Sequence, residues 1–181
     1  MLHFVYFCDF MQHQIILTGP ESSGKTTLCQ GLSSHYNCAW VPEYARQYLA
    51  ERQGVYAYAD LVKISLGQSE IQASFEALSK ELLILDTGQE VLYIWSMHKY
   101  GKVDARIESR LKMQNNSFHL LCKPDLEWVP DPLRENENDR DILFHQYEAL
   151  LQKFNLPYGI IEGEGQQRLE AAIDKIEAYR V

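Results

Sequence analysis

A loop of small and polar residues near the start of the chain has the spacing of a phosphate-binding site. Residues 18–27 read TGPESSGKTT, so Gly19 is followed by four residues and then by Gly24, Lys25 and Thr26. Glycines let such a loop wrap around phosphates, the lysine reaches the β- and γ-phosphates, and the threonine hydroxyl holds Mg²⁺. The pattern predicts ATP and Mg²⁺ as cofactors. The predicted nucleotide-binding residues are Gly19, Pro20, Glu21, Ser22, Ser23, Gly24, Lys25, Thr26 and Thr27.

A carboxylate at the end of a second apolar run supplies the other ligand that this metal needs. Asp86 directly follows the run Leu-Leu-Ile-Leu at 82–85, which predicts a buried strand. In phosphate-loop proteins, a carboxylate at the end of a neighbouring strand holds Mg²⁺ directly or through water. We therefore expect Asp86 and Thr26 to form the metal site. The alternative is that Asp86 only caps a helix that begins at Thr87.

The residues after Asp86 differ from the pattern of a switch GTPase. Those proteins place a glycine three residues after the strand-ending aspartate, whereas Gly88 comes two residues after Asp86. They also read guanine with Asn-Lys-x-Asp, and this chain has Cys-Lys-Pro-Asp at 122–125. A cysteine lacks the asparagine amide, and a proline lacks the backbone donor. Both differences disfavour a GTPase.

A small-molecule kinase needs a further carboxylate that orients or deprotonates the acceptor hydroxyl, and a lid over the phosphates. Glu43 follows the second predicted strand, so it should reach the same sheet edge as the phosphate loop. Arg46 lies one turn along the same helix and could pair with Glu43 or contact the substrate. Residues 124–140 hold three prolines and many charges, which predicts a mobile lid that carries Arg134 and Arg140. The alternatives are an exposed helix-start carboxylate and a solvated loop.

Strand-like and helix-like segments alternate along the whole chain. Short apolar runs at 14–19, 82–86 and 118–122 predict buried strands, and amphipathic stretches between them predict helices. Asp60 is the predicted N-cap of the longest helix. This alternation predicts an α/β fold with three layers, in which helices flank a parallel sheet on both faces. The expectation is thus a P-loop NTPase or kinase fold with a lid loop.

The domain organisation follows from the position of the first strand. Met11 is a plausible alternative start just before it, so we expect residues 1–13 to be an N-terminal extension with no role in the fold. Residues 14–181 should form one kinase domain, with the lid at about 124–140. A chain of 181 residues has the ordinary size of one domain and can bury a real core.

The composition disfavours several classes of function. Lys and Arg number 17 against 25 Asp and Glu, which gives a net charge of −8, and no basic run suits nucleic acid. No apolar run reaches the length of a transmembrane helix. The four cysteines lack Cys-x-x-Cys spacing, as expected of a chain that is kept reduced. We expect a cytoplasmic protein with a small-molecule partner and without nucleic-acid or membrane partners.

Several longer blocks are more specific than the phosphate loop. GPESSGKTTL, VPEYARQY, LLILDT, KYG, PDLEWVPDPLREN and DRDILFHQY occur in this order, from about Gln14 to the C-terminus. Together they resemble the nicotinamide riboside kinase domain of the bacterial bifunctional NAD-biosynthesis regulator. The resemblance implies ATP-dependent phosphorylation of nicotinamide riboside to the mononucleotide, with Mg²⁺. Larger members of that family add a nucleotidyltransferase domain and sometimes a DNA-binding domain, and we expect neither here.

The substrate implied by this resemblance bears a cationic pyridinium ring. An acidic protein with aromatic side chains near the pocket suits such a ring through cation–π contact. For any single aromatic residue, core packing is the alternative. The predicted acceptor residues are Glu43, Tyr44, Arg46, Trp95 and Trp128.

The expected mechanism is transfer of the γ-phosphoryl group of ATP to the 5′-hydroxyl of the acceptor. Lys25 and the metal held by Thr26 and Asp86 neutralise the phosphates, while Glu43 takes the hydroxyl proton. Arg134 and Arg140 stabilise the transferring phosphoryl group. Two other functions stay open, namely a P-loop ATPase or regulatory nucleotide-binding module, and a kinase for another nucleoside. The residues alone fix neither the acceptor nor the oligomeric state.

Overall fold

The computed structural model describes residues 13–77 and 81–180 of the chain. The predicted extension and the alternative start at Met11 fall outside these residues, except for His13. His13 is the first residue of the first strand, which runs to Thr18 rather than over the expected 14–19.

Five parallel strands form one sheet among the described residues. Their bounds are β1 His13–Thr18, β2 Trp40–Val41, β3 Leu82–Asp86, β4 Phe118–Cys122 and β5 Tyr158–Ile161. The spatial order is β2-β3-β1-β4-β5. The three central strands are largely apolar and buried, as a parallel sheet with both faces covered requires.

Seven helices among the described residues cover the two faces of this sheet. Their bounds are α1 Lys25–Tyr36, α2 Tyr44–Ala50, α3 Tyr58–Glu76, α4 Gln89–Tyr100, α5 Ala105–Lys112, α6 Arg140–Lys153 and α7 Gly165–Arg180. Leu32 of α1 and Ile176 of α7 pack in one core cluster, whereas α2 to α6 contribute to a second cluster. The predicted three-layer α/β fold is confirmed. In the described part of the chain, no helix combines the length and apolarity that crossing a membrane would need.

The strand register aligns the carboxyl ends of the strands at one edge of the sheet. Leu17 of β1 lies opposite Asp86 of β3 on one side and opposite Leu120 of β4 on the other. The loop after β1, the carboxylate that ends β3 and the start of the lid after β4 therefore meet at this edge. Ligands of open α/β sheets bind at such an edge.

The start of α3 differs from the sequence expectation. Asp60 is not the N-cap, because the helix begins at Tyr58 and Asp60 lies within its first turn. The Asp60 carboxylate accepts the backbone N–H of Ala57 at 2.9 Å and the hydroxyl of Tyr48 at 2.7 Å. Asp60 thus still accepts a backbone N–H at the start of the helix, although it lies inside the first turn. Its hydrogen bond with Tyr48 also joins α2 to α3.

Tyr44 packs against α3. Its backbone N–H donates to the side-chain oxygen of Gln68 at 2.8 Å. The nearest atom to a Cβ built on Gly67 would be Tyr44 Cε1, at 2.1 Å. Gly67 is therefore the residue that lets the Tyr44 ring lie on the helix.

We expect Gly67→Ala to destabilise the protein, although Ala is favoured over Gly in a helix by about 1 kcal/mol. Overpacking against the Tyr44 ring should cost about 1–3 kcal/mol and outweigh that gain. The measurement is chemical unfolding of the variant and the unchanged protein. With Tyr44→Ala in the background, the same Gly67→Ala change should become neutral or stabilising. Stabilisation by Gly67→Ala in the otherwise unchanged protein would contradict this packing.

Candidate active site

The loop between β1 and α1 has the backbone of a phosphate cradle. Gly19 has φ 127° and Gly24 has φ 77°, both conformations that favour glycine. A Cβ on Gly19 would lie 2.6 Å from the carbonyl oxygen of Cys122 in β4, so the loop passes directly against that strand. Ser23 closes the loop internally by donating its hydroxyl to the Pro20 carbonyl at 2.8 Å. The free N–H groups of the first turn of α1 then face the same hollow.

Lys25 lies across this loop. Its ammonium donates to the carbonyl oxygens of Gly19 at 2.9 Å and Pro20 at 2.6 Å. Neither carbonyl carries a full charge, so these contacts leave the positive charge of Lys25 uncompensated within the loop. That charge is available to an anion bound in the cradle.

Thr26 and Asp86 meet as expected of a metal pair. The Thr26 hydroxyl donates to Asp86 Oδ2 at 2.6 Å. The other oxygen, Asp86 Oδ1, is buried and has no hydrogen-bond partner among the described residues. Burial raises the pKa of the Asp86 carboxyl, and the Thr26 hydrogen bond and the nearby Lys25 charge oppose that shift.

An oxygen that is buried without a partner costs free energy unless a ligand satisfies it. These oxygens therefore fit Mg²⁺, which prefers carboxylate and hydroxyl oxygens. The described residues contain no group of three His, Cys, Asp or Glu side chains that could hold a metal. A metal at Thr26 and Asp86 would thus complete its coordination with water and phosphate oxygens, as Mg²⁺ usually does.

Glu43 occupies the N-cap position of α2, beyond the end of β2, and is partly buried. Arg46 Nε lies 3.5 Å from Glu43 Oε2. Burial and the neighbouring Asp86 carboxylate raise the pKa of Glu43, while Lys25 and Arg46 act against that shift. A carboxylate with a raised pKa holds a proton more readily, as a base in proton transfer must.

The lid connects β4 to α6 and is bound to the body of the protein at its middle. Asp131 accepts from Arg46 Nη1 at 2.9 Å. Both oxygens of Glu135 accept from Lys99, at 3.0 and 3.1 Å, and one of them also accepts from the Tyr56 hydroxyl at 3.0 Å. The lid is therefore closed over the phosphate loop in this structure.

The two lid arginines take different positions. Arg134 lines the cavity, and its guanidinium donates to the Val129 carbonyl and lies 3.5 Å from Ser22 Oγ. Arg140 does not line the cavity, because it donates to the Leu126 carbonyl at 2.9 Å and lies 3.5 Å from the Ser22 carbonyl. Arg140 thus holds the base of the lid against the loop.

One cavity of about 210 Å³ joins the phosphate loop to the acceptor side. It brings together residues 19–27, Glu43, Arg46, Trp95 and Arg134, as expected. Other residues also line the cavity. They were not predicted from the sequence, because their residue types belong to no motif. These are Ala45, Leu49, Gly54, Tyr56, Val91, Ile94, His98, Pro132, Leu133, Glu135, Asn136, Leu143 and Tyr147.

Two predicted acceptor residues do not line this cavity. Tyr44 packs on α3, as described above. Trp128 lies within the lid, where the guanidinium carbons of Arg134 and Arg140 are 5.8 and 5.6 Å from its ring centroid. Its ring is thus used to order the two arginines, and the expectation that it contacts the acceptor is not supported by this arrangement.

Arg168 of α7 supports the loop from behind and is absent from the residues predicted from the sequence. It is only 4% exposed and donates to the carbonyl of Ser23 at 2.8 Å and to that of Gly163 at 2.6 Å. It also pairs with Asp125 at 2.8 Å. A single arginine thereby joins the phosphate loop, the base of the lid and the segment after β5. No local spacing pattern marks such a residue in the sequence.

A second buried carboxylate supports the segment that follows Asp86. Glu90 Oε1 accepts the N–H of Gly88 at 3.0 Å. Burial raises the pKa of Glu90 to about 7 and lowers the pKa of the neighbouring His119 to about 4. His119 Nε2 lies 3.8 Å from Glu90 Oε2. Burial thus favours the uncharged form of both side chains.

The chain matches one family model and is similar to known proteins. A family model described as AAA domain matches residues 14–168. The chain is similar to the trifunctional NAD biosynthesis/regulator protein NadR of Salmonella typhimurium, with 23% identity over 155 residues. The match covers 82% of this chain and 38% of that protein, so the chain spans less than two fifths of the relative's length.

Two solved structures of NadR share the fold. One, in complex with NAD and AMP-PNP, has a TM-score of 0.69 at 19% identity and covers 93% of this chain and 49% of that one. The other, in complex with NR, has a TM-score of 0.69 at 18% identity and covers 93% and 51%. The resemblance to this group and the predicted P-loop kinase fold are confirmed.

The raised pKa of Glu43 predicts a stability effect with a definite sign. A carboxyl whose pKa is higher in the folded state stabilises the fold at low pH and loses that contribution as pH rises through the raised pKa. We therefore expect Glu43→Gln to raise the melting temperature at pH 7–8. Near pH 4 the gain should disappear, because Glu43 itself is then largely protonated.

Thermal unfolding of both proteins across this pH range is the measurement. Glu51→Gln, at the exposed end of the same helix, is the matched control and should change little at either pH. A lower melting temperature for Glu43→Gln at neutral pH would show that the Arg46 contact outweighs the cost of burial.

Proposed function

We propose that this chain, which belongs to the AAA domain family, is an ATP-dependent kinase that phosphorylates the 5′-hydroxyl of nicotinamide riboside. The observation that carries the proposal is the arrangement across one cavity of Lys25 and Thr26 on one side and Glu43 on the other, with Asp86 buried behind Thr26 and hydrogen-bonded to it. An ATPase needs the first group but not a second carboxylate beside an acceptor pocket. Similarity to NadR, seen in complex with NR and with AMP-PNP, supports the choice of substrates.

The nucleotide half of the site would position the triphosphate. Amides of the phosphate loop and the N-terminus of α1 bind its oxygens, and Lys25 compensates charge on the β- and γ-phosphates. Thr26 and Asp86 would hold Mg²⁺, which supplies further neutralisation of the same oxygens when bound. Such transfer passes through a loose transition state, so positioning and charge stabilisation provide most of the catalysis.

The acceptor half would orient the hydroxyl and receive its proton. As the acceptor oxygen bonds to the γ-phosphorus, the bond from that phosphorus to the ADP oxygen breaks, and the hydroxyl proton passes to Glu43. Arg46 Nε lies 3.5 Å from Glu43 Oε2, and this ion pair would restrain the Glu43 carboxylate. The raised pKa makes this proton transfer more favourable than it would be to an ordinary glutamate.

The far wall of the cavity suits a cationic ring. Trp95 lines it and donates its indole N–H to the Tyr56 hydroxyl at 2.8 Å, which fixes the plane of the indole. Lys99 Nζ lies 4.1 Å from the centroid of the Tyr56 ring, so that ring already makes a cation–π contact within the protein. Trp95 is therefore the aromatic face for a pyridinium, with the Glu43 carboxylate in the same cavity.

The direct test is turnover by the purified protein with ATP and Mg²⁺ against a panel of nucleosides and a reaction without acceptor. ADP release and mass-spectrometric identification of the product are measured. We expect nicotinamide riboside to give the mononucleotide with the highest kcat/KM. ADP release that needs no acceptor would favour the ATPase alternative, and a higher kcat/KM for another nucleoside would reassign the substrate.

Lys25→Ala should abolish this transfer without changing the melting temperature greatly, because its side chain contacts only the loop. Loss of a charge-stabilising group in phosphoryl transfer typically costs about 10³-fold or more in kcat. Lys112→Ala, which removes an exposed lysine of α5 outside the cavity, is the matched control. Normal turnover by Lys25→Ala would overturn the role of the phosphate loop.

The two lid arginines should differ in kinetics. Arg134→Ala, at the cavity wall, should lower kcat by roughly 10³-fold or less while KM changes little. Arg140→Ala should act through the base of the lid and raise KM as well, and the double variant should be worse than either. Arg106→Ala, on the surface of α5, is the control. Unchanged kcat in all three lid variants would exclude an arginine role in the lid.

A further inference from the structure

Glu21 places a carboxylate in the middle of the phosphate loop. A carboxylate there repels the polyphosphate that the loop is built to bind. In the structure its Oε2 accepts two consecutive backbone N–H groups of the lid, from Glu135 at 3.0 Å and from Asn136 at 2.9 Å. The negative charge is thus directed away from the loop amides and toward the lid.

Other contacts also hold the lid: Ser22 Oγ accepts the backbone N–H of Val129 at 2.9 Å, and two ion pairs join the lid middle to α2 and α4. The Arg46–Asp131 pair and the Lys99–Glu135 pair both involve side chains that are about a fifth to a half exposed. Exposed pairs of this kind contribute little, because solvent screens them. Glu21 adds two charge-assisted hydrogen bonds with one oxygen, and its partners are backbone N–H groups that fix the lid main chain directly.

We propose that Glu21 is a positioning residue that latches the lid over the phosphate loop, rather than a ligand of the nucleotide. This inference rests on the proposed kinase function. With the latch closed, the cavity excludes water from the γ-phosphate and leaves the acceptor hydroxyl as the nucleophile. With the latch open, a water oxygen bonds to the γ-phosphorus as the bond to ADP breaks, giving ADP, inorganic phosphate and a proton.

The partition between transfer and hydrolysis is the first readout. Phosphorylated acceptor and inorganic phosphate are measured in the same reaction for Glu21→Ala, Glu21→Gln and the unchanged protein. We expect Glu21→Ala to raise phosphate released per acceptor phosphorylated by about 10-fold or more, since a hydrogen bond to a charged group contributes about that factor. Glu21→Gln keeps an accepting oxygen and should restore most of the coupling.

Glu137→Ala is the matched control, because Glu137 is an exposed glutamate of the same lid. It should leave the partition unchanged. A rise in the KM for ATP with an unchanged partition in Glu21→Ala would mean that Glu21 binds the nucleotide. A fall in the KM for ATP with an unchanged partition would mean that Glu21 only repels phosphate. Either result would overturn the latch.

A second readout does not depend on turnover. Hydrogen–deuterium exchange of the peptide that contains the Glu135 and Asn136 amides is followed without acceptor. We expect about 10-fold faster exchange there in Glu21→Ala, with the strand amides unchanged as the folding control. If the unchanged protein phosphorylates no acceptor, the proposed function fails while exchange still tests the latch. Unchanged exchange in Glu21→Ala overturns the latch whatever the substrate is.

Discussion

One hydrogen bond, from the Thr26 hydroxyl at the start of α1 to the Asp86 carboxylate at the end of β3, joins two of the elements on which the site is built. It can form only because β1 and β3 pair in a register that places Leu17 opposite Asp86. A slip of one residue would turn Asp86 to the other face of the sheet. Alternate apolar residues of both strands pack into two different core clusters, so a slip would also move each side chain into the wrong cluster. Core packing therefore determines the geometry of the two oxygens that we propose as metal ligands.

The same sheet edge concentrates like charges. Burial and the Asp86 carboxylate make Glu43 harder to ionise, burial does the same to Asp86, and Lys25 and Arg46 oppose both shifts. Such crowding destabilises a fold and is retained at functional sites, where the shifted protonation serves chemistry. Glu90, in the segment after Asp86, is another buried carboxyl with a raised pKa. It holds that segment by accepting the N–H of Gly88. The predicted phosphate site thus lies beside carboxyl groups whose pKa values are raised in the folded protein.

Sequence patterns predicted those parts of the site that local rules control. The phosphate loop, Asp86 and Glu43 follow strands, and the carboxyl ends of parallel strands must share an edge, so their meeting was predictable. Tyr44 and Trp128 were assigned to the acceptor because aromatic type alone does not tell a ring packed on Gly67, or beside two arginines, from one that lines a cavity. Arg168 and the Glu21 contacts to the lid connect residues more than 100 positions apart. No periodicity encodes such pairings, and only the assembled layers reveal them.

The Arg168 contact also has a consequence for the order of events during synthesis. Its partner, the Ser23 carbonyl, lies 145 positions earlier in the chain. At translation rates of about 5–20 residues per second, roughly 7–30 s separate the two on the ribosome. The phosphate loop therefore leaves the ribosome without the residue that braces it. The loop gains the support of Arg168 only when α7 docks, so the docking of this late helix completes the surroundings of the first loop.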